Sequence, residues 1–433
     1  MLDIRRLNSQ DADFSVLFNK VLLQNQSAEN DVHSTVTSII KDIRENGDRA
    51  LLAYTKKFDQ LDVNQASGLE ISPAQLQEYV SQISDQQLQA LQTAAKRIRS
   101  YAEKQSLESW STTDKDGNQL GQKVTPLERV GVYVPGGKAA YPSSVLMNSI
   151  PANVAGVDCI IMVVPTPNGE INPMVMAAAS IAGVDRVFTV GGAQAIAALA
   201  FGTETIPQVD KIVGPGNAYV ASAKQQVFGQ VGIDMLAGPS EVLVICDASA
   251  NPEWVAMDLF SQAEHDTHAR TTLISTEAAI LDQVQQQMEK LIQDLDRKEI
   301  IQRSINDFGV FIQVKDLDEA AELSNQIAPE HLELCVAEPE PLLEKIRNAG
   351  AVFMGHHSPE VFGDYCAGPN HVLPTASTAR FSSPLGVYDF QKRTSVVNCS
   401  KAGAEKLSEV ASTLAHSEGL TAHARSAEYR GKK

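Results

Sequence analysis

Apolar residues divide the chain into a helical beginning and a longer part in which strands and helices alternate. Up to about residue 110 they recur every three or four positions, as from Val32 to Ile43, which predicts helices. Ser72 and Ser84, each followed three residues later by a glutamine, indicate capped helix starts. From the segment ERVGVYVPGG onward, short β-branched runs alternate with helical stretches, which predicts βαβ units and mostly parallel sheets.

Two blocks of alternating elements are visible, at about 130–238 and 239–355. The predicted strands are short apolar runs at 159–164, 186–190, 211–213, 242–246, 271–274, 309–314, 332–336 and 351–354. The predicted helices lie at 173–182, 193–201, 218–228, 252–264, 277–295 and 317–326. Two blocks favour two separate sheets, because a single sheet of about nine or more strands is less common. A cleft between two such domains is a usual place for a ligand.

After Pro374 the pattern changes to short, polar, strand-like pieces and one helix near 420–429. This tail is too small to form a core of its own. We therefore expect it to pack on another part of the assembly, such as a second subunit.

Charge and cysteine usage exclude several classes of protein. The formal charge of −17 over 433 residues argues against nucleic acid or an anionic membrane as a main partner, since either favours a basic surface. The five cysteines are scattered without a CxxC pair, which is typical of a reducing compartment. No run approaches the ~18 apolar residues of a membrane span, and the first residues lack the apolar stretch of a secretory signal. We expect a soluble, cytoplasmic protein.

The histidines gather in a few segments that also carry carboxylates. In SQAEHD, Gln262 and His265 are three apart and share one face if the helix continues, which is a common geometry for metal ligands, although glutamine is an unusual member. The alternative is that His265 lies at the C-terminus of the helix and interacts favourably with the helix dipole. In APEHLEL, Glu330 and His331 supply a base and a proton carrier, or a solvated carboxylate and a half-packed imidazole.

Two further segments carry possible site residues. Asp364 and His371 lie in VFGDYCAGPNH, where glycine and proline fix turns; an Asp here could equally cap a helix or close an Asx-turn. Glu418 and His423 lie in HSEGLTAHAR, for which an ordinary solvated amphipathic tail is the alternative.

Glycine turns follow three strands of the first block, although the chain has no GxGxxG motif. They are YVPGG at 133–137, VGGAQA at 190–195 and VGPGN at 213–217. A strand that leads through glycines into a helix places backbone N–H groups where they can meet an anion, but such turns are also required by the fold. In MLAGPSEVLV, the Ser240 hydroxyl at a strand entry could bond a substrate or cap a turn.

Taken together and in this order, these segments resemble the histidinol dehydrogenase family. The resemblance rests on ERVGVYVPGG, VGGAQAIAALAFGT, KIVGPGNAYV, IDMLAGPSEV, SQAEHD, APEHLEL, VFGDYCAGPNHVLPT and SEGLTAHARSAEYR, which span residues 128–430. It implies a zinc-containing, NAD-dependent oxidoreductase with one zinc per subunit. Such an enzyme oxidises L-histidinol to L-histidine through L-histidinal in two sequential hydride transfers.

The resemblance also implies roles for individual residues. The implied zinc ligands are Gln262, His265, Asp364 and His423, and the implied acid–base pair is Glu330 and His331. The implied substrate contacts are Ser240, Gln262, His265, His331, Asp364, Glu418 and His423, with His371 close by. The implied NAD contacts are Tyr133, Gln194 and Asn217.

The predicted fold class is α/β, with two Rossmann-like parallel-sheet domains, a helical N-terminal segment and a small C-terminal dimerisation tail. The predicted boundaries are 1–25 for the N-terminal segment, 26–129 with 239–374 for the domain of catalytic and metal residues, 130–238 for an inserted domain that lines the NAD site, and 375–433 for the tail. The resemblance implies a homodimer with shared active sites and His423 reaching the metal of the other subunit. Two alternatives remain, a paralogous zinc and NAD dehydrogenase of another small polar alcohol and a metal-dependent hydrolase.

Overall fold

The computed structural model describes residues 2–23, 30–136, 141–236 and 238–431. The helices are α1 (Phe14–Leu23), α2 (Asn30–Asp59), α3 (Pro73–Val80), α4 (Asp85–Ala102), α5 (Pro142–Ala155), α6 (Pro173–Ala182), α7 (Gly192–Phe201), α8 (Ala218–Val227), α9 (Pro252–Ala263), α10 (Ala278–Leu291), α11 (Lys298–Phe308), α12 (Leu317–Ile327), α13 (Pro339–Leu343), α14 (Glu360–Tyr365), α15 (Lys401–Ser417) and α16 (Thr421–Gly431). Among the described residues no helix is long and apolar enough to cross a membrane.

The strands form two six-stranded sheets and one small sheet. They are β1 (Arg5–Asn8), β2 (Glu70–Ile71), β3 (Trp110–Thr113), β4 (Gln119–Pro126), β5 (Arg129–Tyr133), β6 (Cys159–Val163), β7 (Arg186–Phe188), β8 (Lys211–Val213), β9 (Gly232–Ile233), β10 (Glu241–Cys246), β11 (Arg270–Ser275), β12 (Val310–Gln313), β13 (His331–Cys335), β14 (Ala351–Met354) and β15 (Gln391–Asn398). The predicted strands of both blocks are confirmed.

The two large sheets share one topology. The β5 sheet has the order β2-β7-β6-β5-β8-β9, and all neighbours are parallel except β2, which pairs antiparallel with β7. The β10 sheet has the order β1-β12-β11-β10-β13-β14 and is parallel throughout. In each sheet, number the last five strands one to five in chain order. They then lie side by side in the order three, two, one, four and five, which is the Rossmann order. The predicted α/β class with two Rossmann-like sheets is confirmed.

Helices cover both faces of the β5 sheet. Helices α3 to α6 bury their apolar residues against one face, and α2, α7 and α8 against the other. The prediction grouped residues 26–129 with 239–374, but α2, α3 and α4 pack on the β5 sheet instead. This grouping is corrected, because the apolar stripe of α2 is buried against α7 and α8 rather than against the β10 sheet.

The β10 sheet receives its edge strand from the N-terminal segment. This segment is only partly helical, since β1 precedes α1 and pairs Arg5 with Val310. Leu2 and Ile4 pack on the face covered by α9 to α11, whereas Leu7 packs on the face covered by α1 and α12. The side chains therefore alternate between faces as a strand requires.

The C-terminal residues form a hairpin of helices attached to the small sheet. Strand β15 pairs antiparallel with β4, which pairs with β3. Helix α15 begins at the Ser400 cap, where the hydroxyl accepts from the Gly403 N–H, and Lys406 pairs with Asp116 beside the small sheet. Helix α16 then packs on α15. Helix α15 was not predicted, because its apolar residues are exposed rather than part of a core.

Candidate functional site

Polar groups gather at the amino-terminal ends of two neighbouring strands, β10 and β13. His331 is the first residue of β13, and its Nδ1 lies 3.1 Å from the Glu241 carbonyl at the start of β10. Glu330 precedes β13 and accepts a hydrogen bond of 2.9 Å from the Glu241 N–H. Both side chains are buried, His331 at 3% exposure and Glu330 at 7%. The strand pairing of Val242 with His331 fixes their positions.

His331 is surrounded by hydrogen-bond acceptors. Its Nε2 lies 3.2 Å from Asp364 Oδ1, and its Nδ1 faces the Glu241 carbonyl and, at 3.6 Å, Glu360 Oε2. Burial disfavours the charged ring, but the carboxylates of Glu330, Glu360 and Asp364 outweigh it and raise the pKa well above the usual value. The neutral ring is therefore a strong proton acceptor.

Glu330 is a carboxyl group that titrates near neutrality. Burial raises its pKa to about 8, although the charge of His331 and the Glu241 N–H act in the opposite direction. A group with such a pKa exchanges protons efficiently at physiological pH, which is a property of general acids and bases.

Three further side chains that the resemblance implies as metal ligands offer oxygen and nitrogen donors. Gln262, on the last turn of α9, is 1% exposed, and no described residue gives its Oε1 a hydrogen-bond partner. His265 follows the helix with an accessible ring, but the protein atoms around it desolvate the ring and lower its pKa, which keeps it neutral. Desolvation acts to raise the pKa of Asp364, but its bond to His331 and the nearby histidines lower it, so it is ionised.

His371 connects the cluster to the β5 sheet. Its Nδ1 lies 2.9 Å from the Asp364 carbonyl, and its Nε2 lies 3.4 Å from the Ser144 hydroxyl on the first turn of α5. A cavity of about 670 Å³ opens beside His331, Asp364 and His371. The site therefore lies between the amino edge of the β10 sheet and the helix that follows β5, which agrees with the expected cleft between two α/β units.

Comparison with known proteins decides the family. The family model described as histidinol dehydrogenase matches residues 22–431. The chain is 59% identical over 430 residues to a histidinol dehydrogenase of Dechloromonas aromatica (strain RCB), covering 99% of each chain. It is 60% identical over 429 residues to one of Pseudomonas fluorescens (strain Pf0-1), covering 99% of this chain and 97% of the relative.

The chain belongs to the histidinol dehydrogenase family. A solved histidinol dehydrogenase of Elizabethkingia anophelis is similar over 99% of this chain and 98% of its own, with a TM-score of 0.93 and 35% identity. The family assignment predicted from the motifs is confirmed, and the protein is an enzyme, an oxidoreductase of this family.

The structure brings together four of the residues that the resemblance implied for catalysis, substrate and metal in a histidinol dehydrogenase. His331 contacts Asp364 and lies close to Glu330. The charges of His265 and Asp364 act on each other. Ser240 is half-buried at the entry to β10, where its carbonyl accepts the Arg270 N–H.

Two buried carboxylates of this histidinol dehydrogenase site were missed by sequence reasoning, Glu241 and Glu360. Glu241 is 5% exposed and accepts the Ala376 N–H at 3.0 Å, and Glu360 is 1% exposed and accepts the Ser261 hydroxyl at 2.8 Å. Glu241 stands at the start of the apolar run EVLVIC, which was a signal for burial. Glu360 had no such signal.

The residues implied for NAD lie at the carboxyl edge of the β5 sheet. Tyr133 ends β5, and its hydroxyl accepts the Gly192 N–H at 3.2 Å; Gln194 is 2% exposed on the first turn of α7. Asn217 caps α8, and its Oδ1 accepts the Tyr219 and Val220 N–H groups. The last glycine of YVPGG, Gly137, and Ala237 of MLAGPSEV lie outside the described residues.

The glycines at this edge suit a ligand that approaches the backbone. Gly214 has φ +111, and a Cβ there would collide with the Tyr133 carbonyl; Gly192 has φ +67, and a Cβ would lie 2.7 Å from Gln194 Oε1. Gly214 lies in the turn before α8, and Gly192 is the first residue of α7. This arrangement fits the phosphates of a dinucleotide.

A buried ion pair holds the backbone of Gly214. Lys224 Nζ donates to the Gly214 carbonyl at 3.0 Å, and Asp234 Oδ2 accepts the Gly214 N–H at 2.8 Å. Lys224 and Asp234 also bond each other, with side chains 4% and 1% exposed. The two side chains thus satisfy both polar groups of one residue in the turn.

Glu418 and His423 lie apart from this cluster. Both are exposed, at the end of α15 and on α16. Among the described residues, no hydrogen bond or ion pair joins either of them to Gln262, His265 or Asp364. Within one chain the predicted site is therefore incomplete.

A second group of acidic and thiol side chains lies in the core behind the site. Ligand atoms of Asp258, Glu333 and Cys335 lie within 4.8 Å of one another. Burial raises the pKa of Asp258 to about 6 and raises that of Glu333 further, and the two carboxyls bond each other. The Cys335 thiol points to Glu333 with its pKa raised by burial. The three side chains therefore form a buried hydrogen-bonded network in which Glu333 holds a proton.

Proposed function

We propose that the chain oxidises L-histidinol to L-histidine through L-histidinal, with NAD as the hydride acceptor and one zinc ion per subunit. The observation that carries the proposal is the contact of His331 with Asp364 at the wall of a cavity, with Glu330 close to His331 and with His265 near enough for the charge of Asp364 to act on it. We place the enzyme in the cytoplasm, in keeping with its free cysteines.

His331 is the general base for the alcohol. Its neutral ring has a strong affinity for protons because three carboxylates surround it, so it accepts the hydroxyl proton as hydride leaves the carbon. Glu330 acts in the second oxidation. As a carboxylate it removes a proton from the water that adds to the aldehyde, and the resulting hydrate loses the second hydride.

Gln262, His265 and Asp364 are the ligands that this chain offers to zinc. An unpartnered buried carbonyl oxygen, a neutral imidazole and an ionised carboxylate form an N and O donor set that suits a divalent cation. Zinc would hold the amine and the imidazole of the substrate in place and complete the electrostatics of the site.

Tyr133, Gln194 and Asn217 are proposed to line the NAD site, and Ser240 and His371 to contact the substrate. The glycine turns before α7 and α8 support this placement, since a helix N-terminus stabilises a bound phosphate. Two molecules of NAD would accept the two hydrides in turn.

The deciding experiment measures NADH formed from NAD and defined substrates. We expect two NADH per L-histidinol and one per L-histidinal, with no release of free aldehyde. Turnover of another small polar alcohol in place of histidinol would identify a paralogous dehydrogenase. Hydrolysis without NADH formation would identify a metal-dependent hydrolase.

We also propose an obligate homodimer in which residues 375–433 cross to the partner. Glu418 and His423 would then complete the substrate and zinc shells of the second subunit. Support comes from the exposed apolar side chains on the terminal hairpin and the small sheet: Leu407, Val410, Leu414, Val397 and Tyr429 are between 48% and 67% exposed. A surface of this kind is typical of a protein interface.

Subunit mixing tests this arrangement. Glu330→Gln and His423→Ala subunits, each inactive alone, are dissociated, mixed and reassembled. If the tail crosses, a heterodimer has one site with both lesions and one with neither, so activity returns. Mixtures that stay inactive, with heterodimers confirmed by mass, would refute the shared site and leave the dehydrogenase assignment intact.

A further inference from the structure

Three buried oxygens near the carboxyl edge of the β5 sheet have no hydrogen-bond partner among the described residues. They are Thr55 Oγ1 and Asp59 Oδ2, one turn apart at the end of α2, and Thr166 Oγ1, after β6. Thr55 is 0% exposed, Asp59 7% and Thr166 2%. Burial without any charged partner raises the pKa of Asp59 to about 6. An unpaired buried carboxylate destabilises a protein, and such a group is often retained for a ligand.

Contacts place Asp59 beside the proposed NAD site. Burial is the main cause that raises the pKa of the Tyr133 hydroxyl, the group that accepts the Gly192 N–H, and Asp59 is close enough for its negative charge to raise this pKa further. The end of α2 packs on the turn at 167–169, directly after Thr166. Asp59 keeps 7% of its surface exposed, so a ligand at the sheet edge can reach it.

The strand order indicates which part of a dinucleotide lies there. In Rossmann folds, an acidic residue at the end of the second strand takes the hydroxyls of the adenosine ribose. The second strand here is β6, and the segment after it, Val164-Pro165-Thr166, has no acid. The end of α2, which carries Asp59, packs on the turn that follows this segment. Helix α2 also lies on the face of the sheet opposite to α5, whose Ser144 meets His371 of the candidate site.

We propose that Asp59 accepts hydrogen bonds from the hydroxyls of the adenosine ribose of NAD, with Thr166 beside it, and that it selects NAD over NADP. This inference rests on the proposed use of NAD. Hydroxyl groups donate to a carboxylate, whereas a 2′-phosphate at the same place would be repelled by it. No other part of the chain needs to change for this discrimination.

The test is calorimetric binding of NAD, ADP-ribose, nicotinamide mononucleotide and NADP to wild type, Asp59→Asn and Asp62→Asn. Asp62 is the matched control, because it lies three residues further on, is 67% exposed and pairs with Lys56. We expect Asp59→Asn to weaken NAD and ADP-ribose about tenfold, the loss of a charged hydrogen bond, and to leave NADP unweakened. Asp62→Asn should bind all four as wild type does.

Each other outcome contradicts a definite part of the proposal. Wild-type affinity of Asp59→Asn for ADP-ribose would refute the contact. A loss confined to nicotinamide mononucleotide would assign Asp59 to the other ribose and refute the adenosine contact. If wild type binds neither NAD nor ADP-ribose, the proposed use of NAD fails and this inference fails with it. Thermal melting of the ligand-free variants separates binding from folding, since Asp59→Asn removes a buried unpaired charge and should melt no lower than wild type.

Discussion

The two large sheets have the same strand order but use opposite edges. In the β5 sheet, Tyr133 and the glycine turns lie at the carboxyl edge, beside the switch point between β5 and β8. In the β10 sheet, Glu330 and His331 lie at the amino edge, beneath the equivalent pair β10 and β13. The carboxyl edge is the usual place for a ligand in such sheets. One topology can therefore supply either edge to a cleft, depending on which edge faces the other domain.

The two edges also differ in how their polar groups are satisfied. At the amino edge of the β10 sheet, charged side chains bond one another, as His331 does with Asp364. At the carboxyl edge of the β5 sheet, the ion pair of Lys224 and Asp234 bonds the backbone of Gly214, and Asp59 and Thr166 have buried oxygens without a partner among the described residues. The first edge thus brings ionisable side chains together, whereas the proposed NAD would complete the second.

Removal of the metal should have the largest effect, because it should impair the function of the β10 edge and leave that of the β5 edge unchanged. Dialysis against a chelator is expected to abolish turnover, because Gln262, His265 and Asp364 would lose the zinc ion that they are proposed to hold. NAD affinity by calorimetry and most of the far-UV ellipticity should remain, since both large cores are independent of the metal. Zinc should restore activity. Full activity in a demonstrably metal-free sample would refute the ligand assignment.

His331→Asn should reduce both oxidations by about 10²–10⁴-fold, the usual contribution of a general base. In the proposed mechanism the imidazole accepts the proton of the alcohol, and we expect it to handle a proton in the oxidation of the aldehyde as well. NAD affinity should not change, because His331 belongs to the other edge. Stopped-flow NADH formation from histidinol and from histidinal measures both rates. A loss in only one of them would show that His331 serves a single step.

Glu330→Gln should slow the oxidation of histidinal more than the oxidation of histidinol. The amide keeps the shape and one hydrogen-bonding oxygen but cannot activate water, so we expect about 10²–10³-fold loss with histidinal and a smaller loss with histidinol. The same stopped-flow assay applies. Equal losses on both substrates would remove any special link between Glu330 and hydration of the aldehyde.

Lys224→Met tests the ion pair at the carboxyl edge of the β5 sheet. It leaves Asp234 buried without its partner and should lower the free energy of unfolding by about 3–5 kcal/mol. The double variant Lys224→Met with Asp234→Leu should regain much of this stability but bind NAD more weakly, because the Gly214 turn is no longer held.

Lys211→Met is the control for this pair, since Lys211 bonds Asp389 from the opposite end of β8 with side chains 15% and 31% exposed. A loss of up to about 1 kcal/mol is expected there, without a change in NAD affinity. Equal NAD affinity in the double variant and the wild type would show that the Gly214 turn keeps its shape without the pair.

The smallest effect concerns the pH dependence of the ligand-free protein. The pKa of Asp59 is raised to about 6 in the folded state from about 3.9 in the unfolded chain, so the folded state holds its proton to higher pH. Stability is therefore lost as the pH rises from about 4 to above 6, and this loss is absent in Asp59→Asn. The melting temperatures of variant and wild type should coincide near pH 4 and separate by pH 7. Parallel profiles would show that Asp59 is not desolvated.

Much of the fold follows from local pattern. The buried parallel strands are nearly continuous apolar runs, so 211–213 and 351–354 coincide with β8 and β14. Helix α5 was missed, because Pro151 lies inside it and its residues from Ser144 to Ala152 are all buried, which removes the amphipathic period. The grouping of 26–129 was wrong, because an apolar stripe shows that a helix packs but does not show on which sheet.

The residues of the candidate site also differ in whether local sequence or distant contacts determine them. His331 and Asp364 were predicted as site residues because they are ionisable side chains in recognisable segments, APEHLEL and VFGDYCAGPNH. The burial of Glu360 depends on a helix that starts 27 residues after Glu333 and donates its first N–H to that carboxylate. No local feature encodes such a contact. The roles of Glu418 and His423 remain predictions, since a second chain is needed to test them.

Strand β1 gives the protein a fixed order of assembly on the ribosome. Arg5 pairs with Val310, and at about 5–20 residues per second its partner is synthesised roughly 15–60 s later. The whole β5 sheet emerges in between. The N-terminal strand must therefore remain unpaired, with Leu2 and Ile4 exposed to water, while a complete domain forms beside it. The earlier the β5 sheet completes its own strand pairs, the fewer unpaired strands remain that could pair wrongly with β1 during that interval.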